Sequence, residues 1–114
     1  MATQDVELVQ LVRKFLQKVR NSGIRVEKAF LFGSRATGGA NIHSDIDIAV
    51  VSPDFSGDHF EDMGKLTRLT WDIDVRMEPI GFRPEDFNED DPLAYEIINH
   101  GKEIRVPNHS KNLK

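Results

Sequence analysis

Cysteine is absent from this sequence, so neither a disulfide framework nor a thiolate metal site can be built from it. Long apolar runs are absent too. No stretch reaches the ~20 residues of a membrane-spanning helix. The opening MATQDVELVQ has neither the basic region nor the continuous apolar core of a secretory leader. A soluble cytoplasmic protein with no membrane partner is the expectation. Lysine and arginine are too few and too scattered for a basic footprint, the formal net charge being −4, so direct nucleic-acid binding is not expected. No Gly-Lys-Ser/Thr occurs, which excludes a Walker A loop.

What is present fits one domain of 114 residues. Residues 1–106 are expected to form it, with 107–114 a polar, disordered tail. A domain this small buries a modest share of its surface, and a homo-oligomer is compatible with it. Charge is unevenly placed. Residues 1–39 hold seven Lys/Arg against three Asp/Glu, and residues 40–114 hold eight against sixteen. Cations before a carboxylate-rich stretch suit an anionic ligand held with a divalent metal.

Periodicity supplies the elements. Leu8, Leu11, Val12, Phe15, Leu16 and Val19 recur at helical spacing and predict a helix over about 5–21, stopped at Gly23. Val26 to Phe32 and Asp45 to Val51 read as buried strands. Asp58 is expected to cap a helix over 59–69, and Asp91-Pro92 to open another that runs to Gly101. Alternation from Trp71 to Met77 predicts a half-buried strand, and Glu103 to Val106 a last one. The fold class is α/β (α+β), one small mixed sheet flanked by helices. Strand order does not follow from this.

Two features carry chemistry. Gly33-Ser34 ends a buried strand abruptly, leaving backbone N–H groups open to a phosphate, with the Ser34 hydroxyl and Arg35 near by. Asp45-Ile46-Asp47 begins the next strand, and its two carboxylates point to one side. Carboxylates so close repel each other, and a hard divalent cation relieves the repulsion. A third carboxylate from a neighbouring strand would complete a one- or two-metal site. Asp74 and Asp72 are the candidates. His43 stands two residues before the pair.

Leu31-Phe32-Gly33-Ser34, ten further residues, then Asp45-Ile46-Asp47-Ile48 resembles the signature of the DNA-polymerase-beta-like nucleotidyltransferase superfamily, in particular its minimal nucleotidyltransferase branch. The resemblance implies that Gly33 and Ser34, with Arg35, hold the phosphates of a nucleoside triphosphate. It implies that Asp45, Asp47 and a third carboxylate ligate magnesium, two ions in all. Ile73-Asp74-Val75 matches the family's hydrophobic-Asp-hydrophobic form better than Asp72 does, so Asp74 is the expected third ligand. The activity implied is transfer of AMP from ATP to a hydroxyl, with release of pyrophosphate. Members of the branch resemble antitoxins paired with a helical HEPN-type toxin, and the acceptor implied is a toxin tyrosine. The alternative is a non-catalytic antitoxin that neutralises its partner by forming a complex.

Overall fold

The computed structural model describes residues 2–33 and 45–106. Helix α1 (Ala2–Asn21) leads into strands β1 (Lys28–Phe32) and β2 (Ile46–Val51). Helix α2 (His59–Arg68), strand β3 (Met77–Phe82) and a 3-10 turn (Pro84–Asp86) follow. Helix α3 (Pro92–His100) and the two-residue strand β4 (Lys102–Glu103) complete the described chain. The sheet order is β3-β2-β1-β4. Strand β1 pairs antiparallel with β2 and β4, whereas β2 and β3 run parallel. This is the expected mixed sheet flanked by helices.

The helix starts follow from their caps. The Asp58 carboxylate accepts from the N–H groups of Phe60 and Glu61, and Asp91 accepts from those of Leu93 and Ala94. Pro92 gives up no helix bond, because the first N–H of a helix has no partner within it. Gly23, at φ 101°, closes α1 in the left-handed region that favours glycine.

Strand alternation divides the core. On one face Ala29, Leu31, Ile46, Ile48, Val50 and Met77 pack beneath Val12, Phe15, Leu16 and Val19 of α1 and Leu66 of α2. On the other, Phe30, Ala49, Val51 and Phe82 meet Ala94 and Ile97 of α3, with Phe32, Ile80 and Phe87 beside them. Asp47 and Glu78 fall in phase with this second face, at the end of the sheet beyond its apolar cluster.

One expected strand is corrected. Residues 69–76 are turns, not a strand from Trp71 to Met77. The N–H groups of Ile73 and Asp74 both donate to the Thr70 carbonyl, at 2.9 and 3.0 Å, which curls the chain. Trp71 and Val75, expected to point inward, are 68% and 84% exposed. The strand proper is Met77-Glu78-Pro79-Ile80-Gly81-Phe82, where Pro79 and Gly81 disguise the pattern. Backbone bonds from Ile46 N to Arg76 O and from Ser52 N to Phe82 O bracket the ladder. Even-numbered residues of β3 therefore bond to β2, and Pro79 turns its missing N–H away from β2, where it costs no ladder bond. The last strand is likewise shorter than the expected 103–106. Among the described residues, no helix is long and apolar enough to cross a membrane.

Candidate active site

Three strand ends converge at one edge. Antiparallel register sets Phe32 opposite Asp47, so the turn at Gly33 leaves β1 where β2 begins. Parallel register sets Asp47 opposite Glu78, so β3 also begins there. The site arises from this register: Gly33, Asp45, Asp47 and Glu78 are brought together although 45 positions separate the first from the last.

Gly33 has φ 71°, in the left-handed region where other residues are strained. A Cβ built on it would run into Asp47 Oδ2 and lie 3.4 Å from Asp47 Cγ. The absent side chain is the space that the Asp47 carboxylate fills. Glycine is thus required twice, by the turn and by its neighbour.

The carboxyls crowd one another. Partial burial of Asp47, then the charge of Asp45, raises the Asp47 pKa above the ordinary carboxylate value, while a hydrogen bond with Glu78 opposes the rise. Glu78 is also raised, by desolvation first and then by Asp45 and Asp47, with both of which it is hydrogen-bonded. Both shifts have the physical sense that anionic charge collects here faster than the surroundings can neutralise it. Two aspartates joined through Glu78 form an oxygen-donor set suited to a hard cation such as magnesium. Among the described residues, no three side chains already stand around a common metal position.

Asp74, expected as the third carboxylate, lies in the turn before β3, not on a strand. Its carboxylate accepts from Arg76 N and Nε at 2.8 and 2.9 Å and from Arg76 Nη2 at 2.6 Å, and it is largely buried. It holds an arginine, while the carboxyl hydrogen-bonded to both Asp45 and Asp47 is Glu78. Asp72, the other candidate, is exposed and paired with Lys18 of α1. Glu78 was readable in principle. In Glu78-x-Ile80-x-Phe82 an acid precedes two apolar residues on one face, as Asp47 precedes Ala49 and Val51 in β2. Ser34, Arg35 and His43 lie outside the described residues, as does the tail 107–114.

Among curated proteins none matches this chain significantly. Solved structures do. A candidate nucleotidyltransferase from Sulfolobus solfataricus is 26% identical, with a TM-score of 0.59 over 75% of this chain and 73% of that one. A toxin–antitoxin complex crystallised with AMP-PNP aligns with a TM-score of 0.59 at 21% identity, over 88% of this chain and 77% of that one. A mutant of the MntA–HpeT toxin–antitoxin complex aligns with a TM-score of 0.58 at 23% identity, over 88% and 76%. The last two likenesses are of fold alone. The model of the family "Polymerase beta, Nucleotidyltransferase" matches residues 12–110. With a site of clustered carboxylates beside a glycine turn, on this fold and over most of its length, the chain belongs to the polymerase beta nucleotidyltransferase family.

Proposed function

We infer that the protein transfers a nucleotidyl group, AMP from ATP, to a hydroxyl of a partner protein, and that magnesium is required. The observation that carries this reading is the Asp47 carboxylate seated against Gly33, with Asp45 and Glu78 beside it. One cluster thus joins the turn expected to meet the phosphates to the carboxylates expected to meet the metal. Asp45, Asp47 and Glu78 would hold magnesium, which supplies charge neutralisation at the triphosphate and acidifies a bound hydroxyl.

The chain's own residues do the rest. Gly33 fixes the direction of Asp47, and the β2–β3 register fixes Glu78 beside it, so the alignment is built before substrate arrives. Asp74 holds Arg76, whose carbonyl receives the Ile46 N–H at 2.9 Å, and so steadies the start of both strands. An acceptor hydroxyl attacks the α-phosphorus, and its oxygen forms the new ester bond. The bond from that phosphorus to the α–β bridging oxygen breaks, and pyrophosphate leaves. The hydroxyl proton passes to Glu78, an exposed carboxylate on strand β3.

The resemblance to minimal nucleotidyltransferases, together with neighbours that are toxin–antitoxin complexes, supports a protein acceptor, a tyrosine of a helical HEPN-type toxin. The test is single-turnover transfer from α-labelled ATP to the product of the adjacent gene, with and without magnesium. Glu78→Gln and Asp47→Asn should each lower the rate by about 100-fold or more. Asp74→Asn should act through Arg76 and lose much less. Transfer that survives Glu78→Gln but disappears in a folded Asp74→Asn protein would refute the assignment of Glu78. Complex formation with no transfer at all would favour neutralisation by occlusion.

A further inference from the structure

Helix α2 presents a face that nothing among the described residues covers. Asp62 and Leu66 of α2, and Thr70 in the turn after it, are buried. The opposite face carries Phe60, Gly64 and Thr67, with Met63 on its border, and Trp71 follows in the turn beyond the helix. Phe60 is 88% exposed, Trp71 68% and Met63 41%. Single exposed apolar residues are ordinary. A phenylalanine near the start of one short helix and the chain's one tryptophan just past its end, both largely exposed, are less so.

Gly64 is an independent sign. Its φ is not in the left-handed region, and a Cβ there would find nothing nearer than an Arg68 nitrogen at 4.0 Å. Among the described residues there is therefore no packing reason for glycine, the poorest helix former after proline. A notch between Phe60 and Thr67 does have a use, since it lets a second helix approach the backbone.

We propose that the α2 face is a self-association surface, on which a second copy of this chain packs antiparallel about a two-fold axis. Charge selects both the occupant and its direction. Glu61 stands at the start of α2 and Arg68 at its end, on the same flank of the stripe. Neither forms an ion pair among the described residues. In an antiparallel pair related by a two-fold axis across the helices, a flank meets the same flank of its partner. Glu61 of each copy then faces Arg68 of the other. The same register sets Phe60 against Trp71 and Gly64 against Thr67. A parallel pair would carry the two charged flanks to opposite sides of the contact, where Glu61 and Arg68 meet no partner of either sign from each other's copy. Lys65 lies farther round the helix, away from the contact.

The area is of the order a specific interface needs. Two largely exposed aromatics at roughly 150–250 Å² each, with Met63, offer about 400 Å² per copy. Doubled and rimmed by the charged pairs, this approaches the roughly 1,000 Å² that a specific interface clears. The surface lies on the helical layer opposite the carboxylate face, so pairing there leaves the proposed active site open. The inference does not depend on that site's chemistry.

Sedimentation velocity on the full chain from about 1 to 200 µM tests the pairing, alongside tryptophan emission, which reports Trp71 alone. Dimers should form as concentration rises, and the emission should shift to shorter wavelength in step as Trp71 leaves water. Phe60→Ser should abolish both changes while the far-ultraviolet circular dichroism stays the same, because the removed ring is exposed in the monomer. Glu61→Arg and Arg68→Glu should each weaken association about tenfold, and combining them should restore most of it. A chain that stays monomeric throughout overturns the proposal, even if Phe60→Ser weakens capture of some other protein. So does a dimer indifferent to Phe60→Ser, or charge reversals that fail to compensate each other.

Discussion

Replacing Gly33 with alanine separates two reasons for a glycine. The first is backbone strain: at φ 71° an L-residue pays about 1–2 kcal/mol. Against a total stability of roughly 5–15 kcal/mol the protein stays folded. Its midpoint should fall by about 5–10 °C, taking about 5 °C per kcal/mol for a domain near this size. The second reason is the collision. The new methyl would overlap Asp47 Oδ2, and the carboxylate must swing away from Glu78 and Asp45 to admit it. Misplacing a reacting group by about 1 Å can cost about 100-fold in rate, so transfer should fall by about that factor or more. Gly23 provides the control. It also has positive φ, at 101°, but a Cβ there meets nothing within 4 Å. Gly23→Ala should show a comparable drop in midpoint and no loss of transfer. Thermal unfolding and single-turnover transfer, run on both variants, decide the matter. If Gly33→Ala is as active as Gly23→Ala, the contact between Gly33 and Asp47 has no part in catalysis and the reasoning fails.

Asp62 is buried and accepts from Ser56 N and Oγ and from Gly57 N, at 3.0, 3.0 and 3.1 Å. Asp62→Ala should destabilise the fold by roughly 2–5 kcal/mol, because these donors lose their acceptor, and urea unfolding will measure it. Asp54 is bound by Arg25 through two side-chain bonds and the backbone N–H, and its pKa is lowered to about 2. Its folded pKa is depressed, so the stability it adds is complete above the unfolded value, about 3.9, and is lost as pH falls toward about 2. Asp54→Asn should flatten the stability profile in that acid window, as denaturant midpoints between about pH 5 and 2 will show. Asp72 is exposed and only salt-bridged to Lys18, so Asp72→Asn should leave both melting temperature and transfer unchanged within error.

Much of this fold is legible in the sequence because its signals are local. Asp58 and Asp91 cap their helices through side-chain bonds spanning two or three residues, and the apolar spacing of α1 is the spacing it buries. Gly33 and the Asp45–Asp47 pair are likewise visible as a motif. What could not be read is what register decides. Trp71 to Met77 alternates cleanly, yet alternation reports a strand only if one side is buried, and here Trp71 and Val75 lie in solvent. Met77 to Phe82 looks broken by Pro79 and Gly81, yet an edge strand tolerates both when the proline's position faces outward. The proposal of Glu78 as third carboxylate follows from the strand. Choosing Asp74 relied on its hydrophobic neighbours, whereas the parallel pairing of Asp47 with Glu78 is a long-range fact that no local window contains.

Pro79 bears on how an acceptor can be recognised. On the side of β3 turned away from β2, Pro79 offers no donor, and Met77, Pro79 and Gly81 are buried. An extended peptide therefore finds neither a free row of backbone groups nor room to lie along this strand. An acceptor must then be chosen by the shape and reach of its side chain, delivered to the exposed Glu78 from a body docked elsewhere.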